Sequence, residues 1–304
     1  MAISRAQLVK ELEPGLNALF GLEYKQYENQ HAEIYTTESS DRAFEEEVML
    51  SGFANANVKV EGSGISYDEA QETYTARYTH DTIALAFSIT EEAIEDNLYD
   101  RLASRYTKAL ARSMSNAKQV KAVTPLIQGL PSTDNFDSGD AVSLFSTNHS
   151  TVSGTAVKNT LTTQADLNET SLEQGLIDIA GMTDERGLRV AARGMKMVIP
   201  SANQFNAERL MKSPGRTGTA DNDINAVASM GMVPQGYRVN NFLTDTDSWY
   251  IITDVPNGMK MFQRAALKTA MEGDFDTGNV RYKARERYSF GVSDYRGIFG
   301  VEGA

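Results

Sequence analysis

Side chains able to do covalent or acid–base chemistry are few in this chain, and their spacing assembles no familiar site. The three histidines, His31, His80 and His149, lie in separate polar segments without metal-ligand spacing. Each reads as a packed, hydrogen-bonded histidine rather than a ligand or general base. The absence of cysteine removes disulfides, thiolate zinc sites and a thiol nucleophile. No G-x-S-x-G, Walker A or G-x-G-x-x-G pattern falls in a strand–turn–helix setting. Asp274-Phe-Asp276-Thr-Gly-Asn279 opens like a calcium loop, but its glycine comes one position early. Arg285 also stands where such a loop needs a bidentate glutamate, so the stretch reads as a turn. Asp245 and Asp247 read as hairpin-turn residues. The Asn168-Glu-Thr170 glycosylation pattern lacks secretory context, because the N-terminus MAISRAQLVKELEPGL has no apolar signal-peptide region. Carboxylates are abundant, yet sequence spacing pairs none of them for glycosidase-type chemistry. The expectation is a protein with no catalytic residues, no cofactor and no metal ion.

Charge is distributed more informatively than nucleophiles. The 304 residues carry a net charge of −12. From His31 to Asp100, three basic residues face sixteen acids, a balance of −13. From Arg101 to Lys121, six basic residues and no acid give +6. A solvated acidic surface accounts for part of this. The sharper reading is an acidic segment of one copy meeting a basic stripe of another, a complementarity that sets register more than affinity. Glu45, Glu46, Glu47 and Lys59 on one side, and Arg101, Arg105, Lys108 and Arg112 on the other, are the residues expected at such contacts. An acidic chain is a poor sequence-independent binder of nucleic acid, since phosphate affinity comes from counterions released by Lys and Arg.

The elements that position these charges follow from periodicity. A length of 304 residues leaves room for about two domains or one large one. The longest apolar runs, Ile83–Phe87 and Trp249–Ile252, fall far short of the ~20 residues of a membrane span. Leu8, Leu12, Leu16, Leu19 and Phe20 predict one or two short helices broken at Pro14–Gly15, then an extended polar arm. Residues 44–78 predict a long polar hairpin turning at Gly62-Ser63-Gly64, too poor in apolar residues to build its own core. Ile83–Ile89 predicts a strand. Thr90 caps a long helix over 90–124, about 50 Å, carried by Ile94, Leu98, Leu102, Tyr106, Leu110, Met114 and Val120 and stopped by Pro125. Asn168 or Thr170 caps a second helix with Leu172, Leu176, Ile177 and Ile179 on one face, ending near Gly181. Met195–Ile199 predicts a strand and residues 202–211 a helix, and SPGRTGTADNDIN predicts a mobile loop. Strands are predicted at Gly236–Asn240, Trp249–Thr253 and Gly258–Arg264. Over Arg281–Tyr295, one more has Tyr282, Ala284, Glu286, Tyr288 and Phe290 on one side.

This order of elements resembles the major capsid protein of tailed bacteriophages, the Hong Kong 97-type fold, and its wording resembles the Mu-like major head subunit family. Three stretches carry the resemblance: GDAVSLFSTNHS (139–150), DLNETSLEQGLIDIAGMTDERGLRVAARGMKMVIPSANQFNAERLMKS (166–213) and ERYSFGVSDYRGIFGVEG (286–303). It implies an α+β fold with an N-terminal arm (1–40), an extended E-loop (41–82) and a P-domain (83–194) holding the spine helix 90–124. An A-domain (195–265) and a return to the P-domain (266–304) complete the implied division. The implied function is an icosahedral head that encloses double-stranded DNA without specific binding and needs no membrane. It would be built from hexamers and pentamers of this chain with a portal, a separate scaffolding protein and a decoration protein. Assembly would take place in the host cytoplasm and the product would be the virion. Because the chain starts at Met1, scaffolding is expected from a separate protein. Some capsids of this fold crosslink an E-loop lysine to a neighbour's asparagine. Lys59 is the one lysine of 41–82, and without an apolar pocket and carboxylate base in the sequence it reads as a solvated or ion-paired contact residue. Two other readings stay open at this stage: an encapsulin-like nanocompartment shell, whose N-terminal helix binds cargo, and a soluble hydrolase.

Overall fold

The computed structural model describes the backbone of residues 5–95, 99–133, 135–215, 223–274 and 278–304. In chain order its elements are α1 (Arg5–Gln26), β1 (Thr36–Ser39), β2 (Phe44–Leu50), β3 (Glu72–Thr79), β4 (Asp81–Ile89), α2 (Glu91–Glu95) and α3 (Tyr99–Gln128). There follow β5 (His149–Ser150), β6 (Ala156–Val157), α4 (Glu169–Ala180), β7 (Gly194–Ile199), α5 (Gln204–Lys212), α6 (Ala226–Met230), β8 (Tyr237–Val239), β9 (Trp249–Thr253), β10 (Met259–Gly273), β11 (Val280–Val292) and β12 (Ile298–Val301). They form a mixed α+β architecture of two four-stranded sheets, ordered β1-β10-β11-β4 and β12-β9-β7-β8, with two small hairpins, β2-β3 and β5-β6.

Both prolines expected to stop helices lie inside them. α1 runs unbroken through Pro14, and α3 runs four residues past Thr124 with Pro125 in its last turn. A helical proline forfeits one backbone hydrogen bond and crowds the preceding turn. In α3 the apolar side chains on either side outweigh that loss, because Val123, Leu126 and Leu130 are buried in the main core. In α1, Leu16 and Phe20 are buried against Ala103, Leu110 and Met114 of α3 and Tyr282 of β11, and this second core holds the helix in line. At about 1.5 Å per residue the 30 residues of α3 span roughly 45 Å. Thr90 Oγ1 accepts from the Ala93 N–H at 3.4 Å, as expected of the cap. The arm after α1 is ordered on its own chain. His31, Ile34 and Tyr35 are buried, Tyr35 donates to the Ala122 carbonyl at 2.6 Å, and β1 pairs in parallel with β10.

The main core fills the space between α4 and the sheet β12-β9-β7-β8. Asn168 makes a capping box with Ser171, which sets the start of α4 and leaves no role for a sequon there. Leu172, Leu176 and Ile179 enter the core while Ile177 stays 64% exposed, a departure from the expected face. β10 runs nine residues beyond Arg264. Two irregularities between Gln263 and Lys268 break the alternation that periodicity relies on and turn the strand along β11. The Asp274–Asn279 stretch is the turn of this hairpin, with the Asp274 N–H donating to the Asn279 carbonyl and the Gly278 N–H to the Asp274 carbonyl; residues 275–277 lie outside the described ones. The loop expected over 213–225 is likewise described only at its two ends. The last turn is held by a buried ion network. Arg296 meets Glu185 at 2.6 Å and Asp294 at 3.2 Å, and donates through Nε to the Thr183 carbonyl at 2.8 Å.

Two stability predictions follow from the buried groups. Glu185→Ala leaves a buried guanidinium with Asp294 alone and should cost about 3 kcal/mol, read from the urea midpoint of the subunit. The His31 backbone N–H donates to Gln119 Oε1, and Gln119 Nε2 lies 3.0 Å from His31 Nδ1, so the neutral ring carries its proton on Nε2. Burial, with the Lys118 ammonium nearby, pushes the His31 pKa down to about 4. Between about pH 6.5 and pH 4 the unfolded chain binds a proton that the folded chain refuses. Subunit stability should therefore fall as pH drops through that window, by up to about 3 kcal/mol. His31→Gln should flatten that slope in unfolding curves measured at a series of pH values.

Candidate functional site

The feature that stands apart from both cores is the hairpin between β2 and β3. The two strands pair in antiparallel register from Phe44↔Thr79 to Leu50↔Glu72, and their inner face lies on the first sheet. There the Tyr78 ring packs edge-on to Phe262 at 4.7 Å and bonds the Ser293 hydroxyl. Gly291 makes this possible, because a Cβ at that position would stand 2.5 Å from the Tyr78 ring. The carboxylate of Glu47 receives Lys260 at 2.6 Å, and Glu38 meets the same ammonium at 3.2 Å. Burial alone would lower the Lys260 pKa; the bonds and charges of Glu47 and Glu38 outweigh it and hold Lys260 above its usual range. Glu45 accepts from Ser40, which in turn meets His80. Glu46 points outward beside Arg77 at 3.7 Å, and Arg77 covers the Phe44 ring.

Beyond Leu50 the ladder stops. The expected pairing of Val58 and Val60 with residues past Gly64 is absent: Ser51 donates to the Gln71 carbonyl, Gly52 turns the chain at φ +65°, and no strand forms over 52–70. Two local bonds shape the loop, Ala54 N–H to Asp68 at 2.7 Å and Ser63 N–H to the Val60 carbonyl. Val58 and Tyr67 are 93% and 94% exposed, with Phe53, Val60 and Ile65 also bare. A paired strand needs a packed face to fix its register, and this loop has none within the chain.

The basic residues of α3 divide between the two roles open to them. Lys108 meets Glu23 at 3.9 Å, Lys118 meets the buried Glu286 at 3.2 Å, and Lys121 meets Asp81. Burial raises the Glu286 pKa, and Lys118 opposes that shift. Arg105 and Arg112 are exposed, as is Lys59 on the loop, and the Arg101 side chain lies outside the described residues. The three histidines are scattered: His31 is on α3, His80 is between Ser40 and Ser289, and His149 is bonded to Asp140 and stacked on Tyr295 at 3.8 Å. Among the described residues no group of three or more His, Asp or Glu is arranged to hold a metal ion, and no helix is long and apolar enough to cross a membrane. A cationic row passed unnoticed in the sequence. Arg281, Lys283, Arg285 and Arg287 occupy the alternate positions of β11 whose partners, Tyr282, Ala284, Glu286 and Tyr288, are buried. The signal was the same period of two, read on its inward half alone.

A family model described as phage capsid protein matches residues 73–301, well over half of the chain. The chain belongs to the phage capsid protein family. No curated protein matches it. Among solved structures, this capsid protein is similar to the capsid of an empty GTA particle, with 13% identity, 90% of this chain and 89% of that chain covered, and a TM-score of 0.58. It is also similar to the procapsid of bacteriophage JBD30 (13% identity, 99% and 77% covered, TM-score 0.56) and to the capsid of Myoviridae phage XM1 (10% identity, 89% of each chain, TM-score 0.54). At these identities the likeness is one of fold, and the fold is that of tailed-phage capsids, the Hong Kong 97 type. The chain is a structural major capsid protein that self-associates in the virion; the nanocompartment and hydrolase readings are not favoured.

In this capsid protein the three hairpin glutamates are not equivalent. Glu47→Gln should lower subunit stability by about 1–2 kcal/mol, because Lys260 keeps Glu38 as its sole carboxylate. Glu46→Gln, at an exposed pair, should shift it by less than about 0.5 kcal/mol. Denaturant midpoints of the two variants separate these outcomes.

Proposed function

We propose that this protein is the major head subunit of a tailed phage. It assembles as hexamers and pentamers into an icosahedral shell around double-stranded DNA and performs no catalysis. The observation that carries the reading is the loop 52–70, whose apolar side chains stay in solvent on a chain with two well-filled cores. Ordering that backbone costs ~1–2 kcal/mol per residue, which its own contacts cannot offset, so neighbouring copies must supply the burial. On this reading residues 1–40 are the N-terminal arm, 41–82 the E-loop, 83–194 and 266–304 the P-domain, and 195–265 the A-domain. Glu46, Lys59, Arg105 and Arg112, exposed on the free chain, are contact residues between copies, with Arg101 beside them; Glu45, Glu47 and Lys108 serve first inside the subunit. A portal, a separate scaffolding protein and a decoration protein complete the particle, which is built in the host cytoplasm. With a chain charge of −12, DNA is confined without specific binding by the coat.

Replacing residues 48–74 with a short Gly/Ser linker tests the reading. The variant should remain a soluble subunit with undiminished helical circular dichroism and should form no closed shells by electron microscopy. In the wild type, amide exchange over 52–70 should be fast in free subunits and protected in particles. Equal protection in both states, or intact shells from the deletion variant, would count against it.

A further inference from the structure

The outer face of the sheet β1-β10-β11-β4 carries more unneutralised positive charge than α3 does. Arg281, Lys283, Arg285 and Arg287 project from one side of β11, a row of roughly 20 Å at ~3.3 Å per residue. Lys268 of β10 stands directly opposite Arg285. Like charges facing each other across a strand pair are destabilising, so the fold gives up stability to hold this row together. The neighbouring positions opposite Lys283 and Arg285 are Ala86, Ala270 and Ala84, which leave the face flat enough for another backbone to lie on it. Asp274 neutralises Arg281, and Glu272 is the acid paired opposite it. Among the described residues no carboxylate lies within 4 Å of Lys268, Lys283, Arg285 or Arg287. The Nε groups of Arg287 and of nearby Arg264 are buried without a hydrogen-bond partner.

We propose that this cationic sheet face is the seat for the distal loop, residues 52–70, of a second copy of this chain. The loop brings what the face lacks. Glu61 and Glu69, with Glu72 at its foot, are exposed and have no cation within 4 Å among the described residues, while Asp68 is spent on the Ala54 amide and on Arg186. Val58, Ile65 and Tyr67 need an apolar floor, and Ala84, Ala86 and Ala270 provide one of low relief. The chain's own loop makes no hydrogen bond or ion pair with the row; its one long-range tie is to Arg186. Three of the six cations of α3 are already held by Glu23, Glu286 and Asp81, so the sheet face is the stronger acceptor of the two. Duplex DNA is the other polyanion that such a row attracts, but it leaves the loop's acids and apolar side chains without a partner. The inference rests on the capsid reading, because it requires neighbouring copies.

A charge swap tests it in assembly reactions at physiological salt, with the wild-type chain in parallel. Lys283→Glu with Arg285→Glu should lower the yield of closed shells at least about tenfold, and so should Glu61→Lys with Glu69→Lys. Combining all four should return the yield to within about threefold of wild type. Unchanged yields from either pair, or a combined variant no better than the pairs, overturn the proposal. Reversal on β11 that leaves shells intact but lowers their DNA content assigns the row to the genome and overturns it as well. Should a reversed variant misfold, disulfide trapping decides, with no background because the chain has no cysteine. Ile65→Cys or Tyr67→Cys, combined with Ala84→Cys, Ala86→Cys or Ala270→Cys, should give a disulfide between subunits in shells and none in free chains. Its absence from shells in every pairing overturns the seat while leaving the capsid reading in place. A wild-type chain that forms no shells overturns both.

Discussion

A stretch of chain that cannot bury itself sets the terms for everything else in this protein. Residues 52–70 leave the β2–β3 ladder after Gly52 and hold Val58, Ile65 and Tyr67 in water, with two local hydrogen bonds to shape them. Exposed apolar side chains in such number gain when they leave water together. The rest of the fold is a stiff mount for this unsatisfied surface. α3 and the long β10–β11 hairpin run through both cores, and Tyr78, Gly291, Glu47 and Lys260 seat the hairpin's foot against the sheet.

Charge is sorted by the same logic. Acids and bases that the chain can bring together within itself are paired: Glu23 with Lys108, Asp81 with Lys121, Glu286 with Lys118, Glu47 with Lys260. What is left over is of one sign on the loop and of the other sign on the sheet. An exposed pair contributes only ~0.2–1 kcal/mol, but a closed shell repeats each contact in every copy. Weak, numerous contacts of this kind fix register and can be broken and re-formed during assembly, where a few strong ones would trap errors.

The interior polar groups do a different job. Arg296 with Glu185 and Asp294, Asn159 with the Leu144 and Tyr295 carbonyls, and His149 between Asp140 and Asn159 tie the C-terminal turn to the loops before α4. These residues fall within two of the three stretches whose wording resembled a capsid subunit. That wording is therefore the trace of a buried hydrogen-bond network, which tolerates few side chains at each position, rather than of a site for chemistry.

Local chemistry in the sequence was enough for the helix caps at Thr90 and Asn168, the strand before Pro200, the turn at Asp274 and the inward face of β11. Each depends on neighbours within a few residues. The weak apolar content of 44–78 was legible as well, and with it the need for a partner. Tertiary structure alone decided that α1 and α3 continue through Pro14 and Pro125, since burial of Leu16, Phe20, Val123 and Leu126 outweighs a lost hydrogen bond that local rules count as decisive. It decided which glutamates and lysines are free, because ion pairs such as Glu47 with Lys260 join residues 213 positions apart. It also placed Lys268 across from Arg285, turning alternate residues of one strand into a charged face. Sequence spacing reports what a residue can do with its near neighbours; the distant partner that uses up its charge is set by the fold.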